Sequence, residues 1–390
     1  MIQIKDKTQC CGCEACVQRC PRRCISLVED SEGFLYPKID KKTCIECNIC
    51  DKVCPVINQR EEQEPLSVYA AINRDEAIRL SSSSGGVFSM LAELVLNEGG
   101  VVFGVCWDAE WRLVFDYTAS VEGLSRFRGS KYLQAHVGDA YIKAEEFLKM
   151  GRKVLFSGSP CQIRGLKLFL RREYDNLLCV DIICHGVPSP GVFRRYLAEE
   201  IEGVRSKAVD CDSLRIADIQ FRDKRTGWKT YSFSYQLLDD SNNLYSNSSL
   251  FTNNIYMRGF LSDIYLRPSC YACSAKAGKS GADITLGDFW GIDQLCPEID
   301  DDRGVSAVLL NTTSGEQQFE LLSVEKYQMN YDDVKHYNSA VYKSVARPSK
   351  RAKFFRYRKS FRATIDSLSK ITLKEKYTFI IRNIFRKICG

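Results

Sequence analysis

The chain has 390 residues and a net charge of +6, and its 45% hydrophobic and 27% charged content is that of an ordinary soluble protein with two or three domains. It contains 19 cysteines, yet the N-terminus lacks the apolar segment of a signal peptide and no apolar run could span a membrane. These features argue against a secreted disulfide-rich protein and an integral membrane protein. They predict a cytoplasmic protein whose cysteines bind metal.

The first 58 residues contain one cysteine pattern twice. Its spacing, C-x2-C-x2-C-x3-C-P, is typical of bacterial ferredoxins with two [4Fe–4S] clusters, in which the fourth cysteine of each run binds the other cluster. A zinc ribbon or a disulfide knot is the alternative. The predicted ligand sets are Cys10, Cys13, Cys16 and Cys54 for one cluster, and Cys44, Cys47, Cys50 and Cys20 for the other.

Cys11 and Cys24 fall outside this pattern and are expected to pack against a cluster. A module of this kind transfers single electrons and does no other chemistry, so the rest of the chain must contain what receives them. Exposed ferredoxin clusters also suggest an anaerobic host.

A polar linker is predicted at residues 58–65, followed by a short strand at residues 67–74. Residues 81–86, SSSSGG, then lead into an amphipathic helix that stops at Gly99 and Gly100. A Ser/Gly loop that opens a helix presents free N–H groups and the positive end of the helix dipole, an arrangement that binds phosphates. An ordinary N-cap with a flexible turn is the alternative.

Two strand–turn–helix units follow. The strand at residues 153–157 runs into a turn with Cys161, and the strand at residues 177–184 ends in Cys184. Both cysteines are thus predicted at carboxyl ends of strands, the usual ligand position in α/β sheets, and they would be neighbours if the strands are adjacent.

Two further cysteines complete a second set. Residues 213–238 are predicted as two β segments, residues 239–249 as a loop, and Cys270 and Cys273 then form a C-x2-C pair. Together with Cys161 and Cys184 they could hold zinc or a further [4Fe–4S] cluster, or they could be unrelated buried thiols. A third cluster is favoured, because electrons that leave a ferredoxin need a short onward path.

Six motifs between residues 66 and 310 resemble the beta subunit of coenzyme F420-reducing hydrogenases and formate dehydrogenases: SSSSGG, RGSKY, FSGSPCQ, DIICHGVPSP, RPSCYAC and ADITLGDFWG. The resemblance implies a flavoprotein that binds FAD and one [4Fe–4S] cluster and exchanges electrons between clusters and the deazaflavin F420. It also implies that Cys161, Cys184, Cys270 and Cys273 are the ligands of that cluster.

The same resemblance implies roles for the loops. The implied FAD residues are Ser83, Ser84, Gly85 and Gly86 at the pyrophosphate, Ser130 and Lys131 near the flavin or its phosphates, and Ser157, Ser159, Gln162, Asp288 and Trp290 in the flavin crevice. His185 would be catalytic as a proton donor to the flavin, or would only hydrogen-bond a cluster sulfur. For Asp288 and Trp290 the alternative is a capped strand end with a packed indole.

Two features depart from the hydrogenase subunit: the fused ferredoxin module and the C-terminal tail. Both resemble bacterial relatives associated with surface-polysaccharide synthesis, so the hydride acceptor is either F420-like or a polysaccharide-biosynthesis intermediate. From Lys343 onward, 15 Lys and Arg stand against two acids, which leaves the preceding residues at about −7. This basic tail is predicted to be helical and to bind an anionic membrane surface, to dock an acidic partner, or to cover the core.

The predicted fold is α+β: a two-cluster ferredoxin module at residues 1–58, an α/β flavoprotein core with a mixed sheet made of an FAD-binding region at residues 66–150 and a cluster and flavin region at residues 151–320, and a helical tail at residues 321–390. The predicted function is an oxidoreductase that receives electrons from a redox protein, such as a ferredoxin or a dehydrogenase or hydrogenase subunit. A non-catalytic electron-transfer subunit is the alternative. No recognised motif accompanies the charge, so nucleic acid is not an expected partner.

Overall fold

The computed structural model describes residues 1–206, 213–356 and 360–368. The strands are β1 (Ile25–Glu29), β2 (Leu35–Ile39), β3 (Ser67–Ile72), β4 (Val101–Trp107), β5 (Leu113–Thr118), β6 (Val154–Gly158), β7 (Leu177–Ile182), β8 (Leu214–Asp223), β9 (Ser232–Asp239), β10 (Leu244–Leu250), β11 (Ile284–Asp288), β12 (Ser306–Leu310) and β13 (Glu325–Met329). The helices are α1 (Ala15–Gln18), α2 (Ile49–Lys52), α3 (Glu76–Ser81), α4 (Val87–Asn97), α5 (Ala140–Lys149), α6 (Pro160–Leu170), α7 (Pro190–Arg205), α8 (Ile255–Leu261), α9 (Ile292–Leu295), α10 (Thr313–Glu320), α11 (Tyr331–Tyr337), α12 (Lys350–Arg356) and α13 (Phe361–Leu368).

A mixed eight-stranded sheet organises the chain, in the order β13-β3-β12-β11-β7-β6-β4-β5. β11, β7, β6 and β4 run parallel, and the flanking strands pair antiparallel. Val154, Leu155 and Phe156 of β6 are fully buried, as expected for a parallel strand covered on both faces. β6 and β7 are direct neighbours, so the predicted adjacency of the strands before Cys161 and Cys184 is confirmed.

The N-terminal module, residues 1–58, packs against this sheet and shares its hydrophobic core. Its residues Ala15 and Val53 belong to the same buried cluster as Phe103 of β4 and Phe156 of β6. A polar anchor adds to this packing, since the buried Glu14 carboxylate accepts hydrogen bonds from the backbone N–H groups of residues 137 and 138, at 3.1 and 3.0 Å. The module is therefore a built-in part of the fold.

Two segments differ from their predictions. Residues 239–249, predicted as a loop, contain most of β10, which pairs with β9 at the edge of a three-stranded antiparallel sheet. The Asn and Ser residues of β10 resemble the composition of a loop. An edge strand with one solvated face nevertheless tolerates such polar residues. Residues 321–390, predicted as a helical tail, begin with β13, which pairs with β3 and completes the large sheet.

The described part of the basic tail covers the core. Phe354, Phe361 and Ile365 of α12 and α13 are at most 2% exposed, and Phe361 packs against the rings of Tyr196 and Tyr265. The predicted membrane and partner contacts involve the whole basic tail from Lys343, of which residues 357–359 and 369–390 lie outside the described residues. Within the described ranges, none of the helices combines the length and the apolar character needed to cross a bilayer.

Candidate functional site

Two cavities in the N-terminal module are each lined by one of the two predicted ligand sets. The first cavity is lined by Cys10, Cys13, Cys16 and Cys54, with Cys11 beside them. The second cavity is lined by Cys20, Cys44, Cys47 and Cys50, with Cys24 beside them. In each set, three thiols come from one run and the fourth from the other, which is the crosswise arrangement that the spacing predicts.

The local backbone explains how each short run surrounds its cavity. Residues before and after the second cysteine are left-handed in both runs: Gly12 and Glu14 in the first, Glu46 and Asn48 in the second. In the described part of the chain, no three His, Cys, Asp or Glu side chains lie close enough to hold a single ion. The four thiols that line each cavity are the donor set of a [4Fe–4S] cluster.

The two cavities differ in exposure. Cys13, Cys16 and Cys54 of the first cavity are 6–8% exposed, whereas Cys47 of the second is open to solvent. The backbone N–H of Ile2 donates to the Sγ of Cys50 at 3.3 Å, the kind of hydrogen bond that adjusts the electronics of a cluster ligand. The first cavity is therefore the inner one and the second the outer one.

The other predicted ligand set lies near the carboxyl edge of the sheet. Cys161 is the second residue of α6, Cys184 follows β7, and Cys270 and Cys273 lie on the loop after α8. Burial is the main cause that raises the pKa of Cys270, and the thiols of Cys184, Cys161 and Cys273 raise it further. The N–H of Val187 donates to the Sγ of Cys270 at 3.4 Å. This third set fits a further cluster.

The Cys11 side chain connects the first and third sets. It is 9% exposed, it lines the first cavity, and it is the main cause that raises the pKa of the Cys161 thiol. Beside it, α6 packs directly on the N-terminal module, since a Cβ at Gly165 would lie 3.1 Å from the Sγ of Cys13. Cys11, expected only to pack against a cluster, thus lies between two ligand sets.

A buried arginine, Arg267, makes several hydrogen bonds to residues of the N-terminal module. Arg267 is 0% exposed, and its Nε donates to the carbonyl oxygen of Cys10 at 2.7 Å. Its other nitrogens donate to the Sγ of Cys10 at 3.4 Å, to the carbonyl oxygen of Leu35 at 2.9 Å and to Oε1 of Gln134 at 2.8 Å. The guanidinium also lies 4.3 Å from the ring centroid of Tyr36. A permanent positive charge therefore contacts the inner thiol set.

A cleft of about 440 Å³ opens at the carboxyl edge of the sheet, within the usual size range of small-molecule sites. Cys184 is part of its wall, so the third set borders it. Gly85 lies outside this wall, because its N–H bonds to the Ser306 hydroxyl and a Cβ there would meet the carbonyl oxygen of Ala71 at 2.3 Å. The predicted residues in the wall are Ser83, Ser84, Gly86, Ser130, Lys131, Ser157, Ser159, Gln162, His185, Asp288 and Trp290.

The Ser/Gly loop is tied to the neighbouring segments of the cleft. The Ser130 hydroxyl donates to that of Ser83 at 2.8 Å, and the Ser84 hydroxyl donates to the carbonyl oxygen of Val305 at 2.7 Å. Gly86 then begins α4 in a left-handed conformation, and no side chain caps this helix. Its first N–H groups lack intrahelical partners, so the N-terminus of α4 fits a phosphate group.

Several predicted residues also have structural roles. Ser159 and Gln162 form a capping box at the start of α6, with the Ser159 hydroxyl donating to Oε1 of Gln162 at 2.7 Å. The ammonium group of Lys131 donates to the carbonyl oxygens of Arg128 and Gly129, at 2.9 and 3.2 Å, and burial lowers its pKa to about 8. These contacts fix the shape of the cleft wall.

A charge pair supports the aromatic side of the cleft. The side chain of Arg222 is 1% exposed and pairs with Asp288, whose other oxygen accepts a hydrogen bond from the indole of Trp228 at 2.8 Å. Trp228 stacks on Trp290 with 5.0 Å between ring centroids, and Arg222 lies 4.4 Å from the ring centroid of Tyr231. These contacts agree with the alternative prediction for Asp288 and Trp290, which was a capped strand end with a packed indole. Both residues also line the cleft.

His185 borders both the cleft and the third thiol set. Its Nε2 lies 2.6 Å from Oδ1 of Asp263, and its ring meets the edge of Phe260 at 5.4 Å between centroids. If Nε2 carries the proton and donates it to the carboxylate, Nδ1 is the acceptor of the ring. The pair holds the imidazole in a fixed orientation beside Cys184.

Two family models match the chain. The model of the C terminus of the coenzyme F420 hydrogenase/dehydrogenase beta subunit matches residues 151–336, and the model of its N-terminal part matches residues 68–141. Together they cover well over half of the chain.

The chain belongs to the family of coenzyme F420 hydrogenase/dehydrogenase beta subunits.

The resemblance inferred from the six motifs is thereby confirmed. Among curated relatives, one of the subunits of the F(420)H(2) dehydrogenase of Methanosarcina mazei is 28% identical over 196 residues, which are 46% of this chain and 55% of that protein. The chain thus spans about half the length of this relative. A ferredoxin of Mycolicibacterium smegmatis is 31% identical over 87 residues, covering 22% of this chain and 71% of the ferredoxin.

Among solved structures, a chain of the F420-reducing [NiFe] hydrogenase complex from Methanosarcina barkeri is similar to this family member. The match covers 82% of this chain and 94% of that chain, at 15% identity and a TM-score of 0.44.

Sequence reasoning missed part of the cleft wall in this family member. Arg222 and Tyr231 come from the three-stranded sheet and the turn within it, and Tyr132 and Phe260 from loops and helices far away in the sequence. Tyr132 could have been found, since it is the last residue of the RGSKY motif, which also contains Ser130 and Lys131. No local pattern marks Arg222, Tyr231 or Phe260, because only the tertiary structure brings their segments to the cleft.

Proposed function

We propose that this protein is an iron–sulfur flavoprotein oxidoreductase. The two thiol sets of the N-terminal module and the third set at the sheet edge would each hold a [4Fe–4S] cluster, and the cleft would hold FAD. When bound, the clusters supply one-electron transfer, and the flavin supplies the exchange between single electrons and a hydride. The function is electron exchange between a redox protein and an organic hydride acceptor.

The observation that carries this proposal is the continuity of the three thiol sets with the cleft. Cys47 is exposed, Cys11 lines the first cavity and raises the pKa of Cys161, α6 packs against Cys13 at Gly165, and Cys184 is part of the cleft wall. Such an order would lead from the molecular surface to the cleft at the carboxyl edge of the sheet. A storage or structural role would require no such order.

The chain's own residues support the chemistry of the cleft. The uncapped N-terminus of α4 would bind the pyrophosphate of FAD, and the aromatic wall around Trp290 and Tyr231 would exclude water from the ring. His185, oriented by Asp263, would hold or deliver a proton at Nδ1. Each of these roles uses a group whose position is already fixed by neighbouring contacts.

We propose two classes of acceptor. The name of the Methanosarcina mazei relative points to F420, a flat deazaflavin that could stack in the cleft. The second class is an intermediate of polysaccharide biosynthesis. It is favoured by the fused N-terminal module and the tail, which resemble those of the bacterial relatives noted above. If FAD binds but no small acceptor reoxidises it, the chain is instead an electron-transfer protein whose chemistry lies in a partner.

Anaerobic reconstitution tests the cofactor content. Three clusters correspond to about twelve iron atoms per chain, together with one FAD. Cys161→Ala and Cys270→Ala should each lose about four iron atoms, because a cluster deprived of a ligand is not retained, while the other eight remain. Iron analysis and electron paramagnetic resonance of the reduced protein measure this.

The matched control is Cys106→Ala, which removes a buried thiol outside the three sets and should retain all the iron. Full iron content in both Cys161→Ala and Cys270→Ala would refute the third ligand set. A protein that binds zinc at this set would refute the electron path as a whole.

We further propose that residues 369–390 attach the protein to an anionic membrane surface. This segment combines basic residues with Phe379, Ile380, Ile381, Ile384 and Phe385. Basic and apolar side chains together bind anionic lipid interfaces.

A further inference from the structure

Exposed positive charge surrounds the second cavity, whose cysteine Cys47 is open to solvent. The distal surface, as we name it, consists of the exposed residues Arg22, Arg23, Lys41, Lys42 and Lys52. Arg22 lines the cavity itself, and the others lie within three residues of a cysteine that does. Among the ion pairs of the described residues, none involves any of these five cations.

The nearby acids offset only part of this charge, because the five cations outnumber Asp40, Glu46 and Asp51. Asp51 pairs with the N-terminal amine at 2.6 Å. Asp40 accepts hydrogen bonds from the Lys42 N–H at 3.0 Å and the Thr43 hydroxyl at 2.6 Å. Glu46 is the remaining exposed acid of the cavity wall. The distal surface is therefore a positive region on a protein whose first 342 residues sum to about −7.

An apolar centre lies within this rim. Ile45 is 59% exposed beside the exposed Cys47, and Pro21 is also exposed. An apolar centre with a charged rim is the usual composition of a protein–protein interface, and small interfaces of this type suit transient redox encounters. The inner thiol set cannot serve in this way, because Cys13, Cys16 and Cys54 are buried.

We infer that the distal surface is the docking site of an acidic one-electron carrier protein, with the chemistry of a flavodoxin or an acidic ferredoxin. The inference rests on the proposed function, since it assumes a cluster in the second cavity. Complementary charge would steer the carrier toward Cys47, and the apolar centre would complete the contact. Each encounter moves one electron: the carrier is oxidised by one electron, the cluster is reduced by one, and no bond forms or breaks.

The test measures binding of oxidised flavodoxin to the anaerobically reconstituted full chain, by calorimetry across a range of salt concentrations. The triple variant Lys41→Glu, Lys42→Glu and Lys52→Glu should raise the Kd by at least ~10-fold at low salt, because rim charges govern long-range attraction. The salt dependence of the Kd should also weaken in this variant.

A matched control reverses the same number of exposed cations elsewhere, with Lys149→Glu, Arg172→Glu and Lys353→Glu. It should change the Kd less than ~3-fold, since none of these three residues lines the second cavity or is near one of its cysteines in the sequence. Equal weakening by both triple variants would overturn the docking site, as would the absence of binding by the unaltered chain. Loss of binding to anionic vesicles in the first triple variant, with an unchanged flavodoxin Kd, would overturn it in favour of a lipid surface.

The iron and FAD content of each protein separates this inference from the proposed function. If the first triple variant contains twelve iron atoms per chain and its Kd for flavodoxin is unchanged, only the inference that the distal surface is a docking site is refuted. A chain without iron in the second cavity would refute the proposed function, whatever its affinity for flavodoxin.

Discussion

At the scale of single residues, Arg267 shows how one side chain serves both structure and chemistry. It comes from the RPSCYAC motif, three residues before Cys270, yet all its polar contacts are with the N-terminal module and Gln134. A guanidinium has no neutral form at ordinary pH, so its charge persists in this buried position. Arg267 thus links two ligand sets and places a positive charge beside one of them.

We expect Arg267→Gln to lower the reduction potential of the cluster bound by Cys10. The N–H···S hydrogen bond and the positive charge both favour the more negative, reduced state, and the substitution removes them. Arg267→Lys keeps the positive charge but loses the planar guanidinium group, so it should lower the reduction potential less. Potentiometric titration followed by electron paramagnetic resonance measures the potential.

The control for this prediction is Arg222→Gln, which removes a buried arginine at the cleft and should leave that potential unchanged. Iron analysis of each variant checks that it contains the same number of iron atoms as the unaltered protein. An unaltered potential in Arg267→Gln would show that Arg267 has only a structural role.

At the scale of elements, α6 joins the sheet, the third thiol set and the N-terminal module. Its start is specified locally by the Ser159 and Gln162 capping box and by Pro160 at the first position. The same helix places Cys161 at its N-terminus and presents Gly165, with no side chain, to Cys13. The helix therefore sets how closely the first and third thiol sets approach.

Gly165→Ala should destabilise the protein, although alanine favours helices by about 1 kcal/mol over glycine. The new Cβ would lie 2.9 Å from the Cβ of Cys13 and 3.1 Å from the hydroxyl oxygen of Tyr141, and overpacking of this kind costs about 1–3 kcal/mol. The expected result is a lower Tm of the anaerobic, reconstituted protein in differential scanning fluorimetry.

The matched control is Gly203→Ala in α7, where a Cβ would meet nothing within 4 Å. There the helix propensity of alanine acts alone, and the Tm should rise slightly. A higher Tm for both variants would contradict the tight contact between α6 and the N-terminal module.

At the scale of the whole molecule, α12 is joined to the N-terminal module by an ion pair. Arg351 of α12 is 1% exposed and pairs with Glu32 in the β1–β2 hairpin through two contacts, at 2.8 and 2.5 Å. Breaking a buried pair of this kind costs about 3–5 kcal/mol. Together with the burial of Phe354, Phe361 and Ile365, this pair makes α12 and α13 part of the folded body, so a truncation that tests membrane binding must retain both helices.

A chain that ends at residue 368 should lose binding to anionic vesicles while it keeps its iron and its Tm. The truncation removes basic and apolar residues 369–390 but retains the Arg351–Glu32 pair. Cosedimentation with phosphatidylglycerol vesicles measures binding, and neutral phosphatidylcholine vesicles are the control. Undiminished cosedimentation of the truncated chain would contradict the membrane proposal.

The sequence by itself determined the features that depend on local spacing. Two C-x2-C-x2-C-x3-C-P runs, and the strand–turn–helix units around Cys161 and Cys184, are recognisable because neighbouring residues set their geometry. Tertiary structure alone decided that Cys11 lies between two thiol sets, that Arg222 supports the cleft, and that β13 completes the sheet. These depend on contacts between residues far apart in the chain, whose partners no local pattern specifies.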